Sequence, residues 1–71
     1  MGKVAVIGEE TKVIGFDLAG AVVFPAEGPD AVRAAWRSLG DDVAVVVLTP
    51  RAARTLGGDT ASWPLTVVMP P

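Results

Sequence analysis

Apolar positions along this chain gather into four short aliphatic runs, and between them they recur at helical spacing. Lys3 to Ile7 is apolar at both parities after its first residue and is closed by Gly8, the pattern of a strand covered on both faces. Glu9-Glu10-Thr11 then opens a segment with Val13, Ile14, Phe16 and Leu18 at mixed i+3 and i+4 spacing, ended by Ala19-Gly20. Acid first and glycine last predict a helix there. Gly15 inside it costs about 1 kcal/mol relative to alanine, which predicts close packing at that point. Ala21 to Phe24 is a second strand, stopped by Pro25.

The next helix is the clearest. Pro29 stands at its first position with Asp30 beside it, and Val32, Ala35, Trp36 and Leu39 follow at i, i+3, i+4 and i+7. Trp36 is therefore predicted to pack in the core, Arg33 and Arg37 to face solvent, and Gly40 to end the helix. Val43 to Leu48 is the strongest strand and the expected centre of the sheet. Thr49-Pro50 reads as an N-cap followed by proline at the first helical position, opening a short helix through about Leu56. Residues 57–62 read as a polar, flexible loop, and Leu65 to Met69 as the fourth strand. Strands alternating with helices over short connections imply right-handed crossovers and a parallel sheet. The expected fold is α/β, Rossmann-like or flavodoxin-like. Its four parallel strands take the order 2-1-3-4, flanked by helices, in a single domain spanning residues 1–71.

Composition narrows the chemistry. Of 71 residues, 51% are apolar, which is high for so small a chain and suits either doubly covered strands or a surface kept for a partner. A domain of this size buries only roughly 60% of its unfolded surface. The net charge of −2, without a Lys/Arg cluster, gives no footprint for nucleic acid or an anionic membrane. With no Cys and no His, disulfides, thiolate and imidazole catalysis and the usual zinc sites are excluded. No apolar run approaches the ~18 residues needed to cross a bilayer, so a cytoplasmic protein is expected.

In an open parallel sheet, ligands bind beyond the carboxyl ends of the strands where the strand order reverses. Here Gly8, Glu9, Glu10 and Thr11 should line one side of that crevice, and Thr49, Pro50 and Arg51 the other. The glycine-rich turn of dinucleotide sites and the phosphate-cradling lysine loop are both absent, and two glutamates after one glycine would repel phosphate. Glu9-Glu10 imitate the paired acids of a response-regulator receiver, but the third strand ends in Leu48-Thr49-Pro50 where the phosphoacceptor aspartate should be. The plainer role of the two glutamates is to favour a helix N-terminus. Arg51 and Arg54 share one turn of the third helix. With Trp63 they are the residues offered for surface contact, an acidic partner being the sharper alternative to a solvated face.

Residues 4–20, Val-Ala-Val-Ile-Gly-Glu-Glu-Thr-Lys-Val-Ile-Gly-Phe-Asp-Leu-Ala-Gly, resemble the opening of the F subunit of the V/A-type ATPases. The motif positions are Ile7, Gly8, Glu9, Thr11, Gly15, Phe16, Leu18, Ala19 and Gly20. The similarity continues more weakly through Pro29 to Leu39, Val43 to Thr49, Pro64 and Pro70. The resemblance implies a non-catalytic central-stalk protein without cofactor or metal. It would dock on the coiled-coil D subunit near the catalytic-head subunits and help couple ATP hydrolysis or synthesis to ion transport. It would lie on the cytoplasmic side, peripheral to the membrane, as part of a membrane-bound complex. Gly8, Glu9, Thr11, Gly15, Phe16, Leu18 and Gly20 are then the expected partner-contact motif, and the expectation is a globular domain without the family's C-terminal helical segment. The unpaired edge strands offer a route to self-association in isolation. The contrasting expectation is a receiver-like or small-ligand regulatory domain using Glu9, Glu10 and Thr49.

Overall fold

The computed structural model describes residues 2–15, 20–60 and 65–70, without the side chains of residues 59 and 60. Phe16, Leu18 and Trp63 of the expected contact residues lie outside the described residues. The elements run β1 (Lys3–Gly8), α1 (Glu10–Val13), β2 (Val22–Pro25), α2 (Pro29–Arg37), β3 (Val43–Leu48), α3 (Pro50–Leu56) and β4 (Leu65–Val68). All strand pairs are parallel and the order is β2-β1-β3-β4, as the sequence predicted.

Register sorts the side chains into two faces. Ala5 pairs with Val46 and Ile7 with Leu48, and these four join Val32 of α2 and Ala52 and Leu56 of α3 in the core. A register shift between Lys3 and Val4 lets Val43 join that cluster despite its parity. Trp36 is half-buried and packs against the cluster, as its place on the α2 stripe predicted. On the opposite face, Val6 is fully buried, as is Val13 of α1, which lies over β1 and β2. Helices therefore flank both faces, but unequally.

Several boundaries differ from the expectation. The segment after β1 forms only one α-helical turn, followed by a 3-10 turn at Ile14 and Gly15. Among the described residues nothing stands within 4 Å of where a Cβ on Gly15 would be, so close packing with them does not explain it. β2 runs from Val22 through Pro25, one residue later than expected; as an edge strand it tolerates a residue that cannot donate. α2 ends at Arg37, two residues early. There Ser38 donates its N–H to the carbonyls of Ala34 and Ala35 and its hydroxyl to Ala35, and Gly40 is not the stop. Gly57 to Thr60 form a 3-10 turn rather than a shapeless loop, and β4 stops at Val68.

Gly28, which precedes α2, has φ 87° and ψ 163°, a region open essentially to glycine alone. Gly28→Ala should cost about 2 kcal/mol through backbone strain, since no atom crowds the added methyl. Urea unfolding checks this, and a loss below about 0.5 kcal/mol would show that the turn relaxes freely.

Candidate functional site

The carboxyl ends of β1 and β3 meet at the middle of the sheet, where the backbone fixes the loops before side chains contribute. Thr49 donates its N–H to the Ile7 carbonyl at 3.2 Å, and Ala26 donates to the Gly8 carbonyl at 2.8 Å. Strand β1 thus has its last turn pinned to both neighbours. Gly8 is buried there because nothing larger fits: a Cβ would stand 2.6 Å from Thr49 Oγ1 and 2.9 Å from Thr49 Cβ.

Thr49 is fully buried, and its hydroxyl is used twice. It donates to Glu9 Oε1 at 2.6 Å and accepts the Ala52 N–H at 3.3 Å, capping α3. The hydrogen bond from Thr49 holds the Glu9 carboxyl below the usual glutamate range. Partial burial opposes this, while the charges of Arg51 and Lys12 add to the lowering. A carboxylate kept ionised and a buried hydroxyl with both bonds made lock two loops together. They present neither a free base nor an accessible nucleophile.

The expected lining residues fall into two groups. Gly8, Glu9, Thr49, Pro50 and Arg51 come together, whereas Glu10 and Thr11 are exposed along α1, and Gly15 of the contact motif is exposed in the 3-10 turn that follows. Gly20 stands apart from both groups in the chain, at the entry to β2, with φ 78°. The two glutamates do not cap α1 with their side chains. Glu9 reaches Thr49 instead, and the Glu10 N–H is taken by Glu27 Oε2 at 2.9 Å. Among the described residues, no three His, Cys, Asp or Glu side chains gather closely enough to hold a metal ion.

Arg51 and Arg54 are exposed on α3 and border two adjoining hollows. One, of about 430 Å³, lies between the start of α2 and α3. The other, of about 360 Å³, opens toward Glu9 and Lys12. Sequence reasoning missed Glu27, which stands in no motif, and Lys12, which lies inside the resembling segment but is not one of its motif positions.

It also missed a half-face of the sheet left exposed by the described residues. Val4, Val45 and Leu65 form one register row and Val6, Val47 and Val67 the next. Toward β4 these rows emerge from cover, with Val4 40%, Leu65 61% and Val67 49% exposed; Ile14, beside α1, is 70% exposed. The signal was present in the apolar outward parity of β4, but it reads equally well as a buried strand.

Residues 4–65 match the family described as ATP synthase (F/14-kDa) subunit. The chain belongs to that family. A crystal structure of the V-type ATP synthase F subunit from Archaeoglobus fulgidus superposes with a TM-score of 0.70 at 25% identity, covering 97% of this chain and 98% of that one. No curated protein matches the chain. The β2-β1-β3-β4 sheet with its flanking helices is thus shared with a V-type F subunit, and the expectation drawn from residues 4–20 holds at the level of family and fold. As an F subunit, the chain belongs to a multisubunit ATP synthase. No helix among its described residues is long and apolar enough to cross a membrane.

Proposed function

We propose that the chain is a non-catalytic central-stalk component of a V/A-type ATPase, which docks on the coiled-coil stalk subunit and contributes to coupling ATP hydrolysis or synthesis to ion transport. It works on the cytoplasmic side, peripheral to the membrane, within reach of the catalytic-head subunits. The observation that carries this reading is the family match over residues 4–65. The uncovered half-face supports it physically. Half-exposed aliphatic side chains in adjacent rows of a rigid sheet suit a partner helix with an apolar stripe, since burial is worth about 25 cal/mol per Å². The motif residues Gly8, Glu9, Thr11 and Gly15 run from the end of β1 along α1, which lies over β1 and β2, and Phe16 and Leu18 follow them in sequence.

Co-elution with the coiled-coil stalk subunit on size exclusion at micromolar concentration is the test, and clean separation would overturn the reading. Leu65→Glu with Val67→Glu should abolish co-elution. Both side chains are already about half exposed, so the fold should lose no more than about 1 kcal/mol. Circular dichroism melts run beside the chromatography separate lost docking from lost folding.

A further inference from the structure

We infer that the hollow between α2 and α3 is a second docking groove, distinct from the aliphatic half-face, which accepts an acidic segment of another protein of the complex. The inference rests on the F-subunit reading for the existence of that complex, and on this chain's own charge distribution for the chemistry.

The chain is acidic overall, at −2, yet its positive charge is unevenly used. Lys3 pairs with Asp42 at 3.0 Å and Arg33 with Asp30 at 3.6 Å. Lys12, Arg37, Arg51 and Arg54 make no ion pair among the described residues, and of these four Arg51 and Arg54 stand together on one wall of the groove. Glu9 feels the charge of Arg51, but its carboxylate is held by Thr49 and borders the adjoining hollow rather than the groove. Among the described residues, the lining of the groove contains two guanidinium groups and no acid.

Its shape and floor point to the kind of occupant. Ala26 and Val32, each 3% exposed, form an apolar floor, while Arg51, Arg54 and the Thr55 side chain form one wall. The Thr55 hydroxyl is turned back to the Arg51 carbonyl at 3.3 Å, so the arginines supply the free donors. A small anion is best held by convergent, desolvated donors, which these exposed arginines are not. A glutamate or aspartate on a peptide chain fits better: its stem covers the floor and its carboxylate meets a planar guanidinium fork. The groove of about 430 Å³ and the hollow of about 360 Å³ share Arg51 and Arg54 in their linings, and because ionised Glu9 borders the hollow, the acidic side chain is placed in the groove.

The groove lies on the α2–α3 side of the sheet, whereas the aliphatic rows lie on the α1 side. One partner helix on the sheet face would leave the groove free, so the domain can hold two elements at once. Through the rigid β1–β3 centre it would join a hydrophobic contact on one side to an electrostatic contact on the other.

The test uses the full chain, labelled with 15N and titrated with a synthetic Glu-Ala repeat peptide, its Gln-Ala counterpart and inorganic phosphate. The expected result is saturable shifts of the Ala26, Gly28, Arg54 and Thr55 amides with the glutamate peptide alone. They should weaken roughly tenfold in Arg51→Gln/Arg54→Gln, recover in large part with Arg51→Lys/Arg54→Lys, and fade with added salt. No saturable shift at these amides, or shifts unchanged by the glutamine pair, would falsify the groove. Equal shifts with phosphate at comparable concentration would make it a small-anion site and overturn the inference as well. Co-elution with the stalk subunit is run in parallel. The glutamine pair should still co-elute, and its loss would merge the groove with the stalk contact and overturn a second surface. If the unaltered chain fails to co-elute, the stalk reading fails, and the peptide titration still decides the groove.

Discussion

Gly8→Ala should be the most damaging conservative substitution in the molecule, lowering stability by about 3 kcal/mol. The methyl would stand 2.6 Å from Thr49 Oγ1 and 2.9 Å from Thr49 Cβ, with the Thr49 methyl in its way as well. Relief requires Thr49 to move, and Thr49 cannot move cheaply. Its N–H is bonded to Ile7, and its hydroxyl both caps α3 and holds Glu9. The strands cannot part either, because β1 is paired on both sides. Overpacking of a closed core costs typically about 1–3 kcal/mol, and loss of the α3 cap adds about 1 kcal/mol. For a domain of this length, total stability is only roughly 4–10 kcal/mol. A fall in melting temperature of about 15 °C is expected, measured by thermal circular dichroism and by urea titration. The double variant with Thr49→Ala separates this account from a general intolerance of alanine at a strand end. Because the clash and the lost cap involve the same side chain, the two changes together should cost at least about 1 kcal/mol less than their sum. Additive costs would show that Gly8 and Thr49 do not meet as described.

Much of this architecture could be read from the chain because local signals and global fold agree in most places. The aliphatic runs at β1 and β3 demand cover on both faces, and a parallel sheet supplies it. Thr49-Pro50 specifies the start of α3 by itself, since the hydroxyl finds the Ala52 N–H three residues on and proline needs no donor. Where the reading failed, a competing interaction had won. Gly40 looked like the stop of α2, but Ser38 satisfied the last carbonyls earlier. The i+3 and i+4 spacing from Val13 onward suggested one helix, yet the described part tightens to a 3-10 turn at Gly15. At the site, Gly8, Glu9 and Thr49 were legible as lining, while the bond that joins Glu9 to Thr49 spans 40 residues and follows only from the strand order. The hold of Glu27 on the Glu10 N–H had no sequence signal at all. The uncovered half-face was hidden for a different reason. Apolar residues at both parities of β4 look the same whether a helix covers them or a partner does.

Removing one hydroxyl tests whether that long-range bond matters. Thr49→Val keeps the shape, but leaves the Ala52 N–H uncapped and takes the donor from Glu9. The cap is worth about 1 kcal/mol. The bond to an ionised carboxylate adds about 1 kcal/mol, reduced from its buried value because Glu9 retains some access to water. The expected loss near neutral pH is therefore about 2 kcal/mol, seen as a shift in the urea midpoint with unchanged slope. Acid gives the sharper discrimination. The folded-state carboxyl of Glu9 is held below its unfolded value of about 4.3, so its contribution is complete above that value. It is lost as pH falls through the lower, folded value. Asp42, held low first by its hydrogen bond to Lys3, behaves the same way in both proteins and cancels in the comparison. The gap between the original chain and Thr49→Val should therefore narrow by about half between about pH 6 and a pH well below the folded value of Glu9, leaving only the cap. A gap that stays constant with pH would mean that Thr49 serves α3 alone, and that the carboxylate of Glu9 takes no part in joining the two loops.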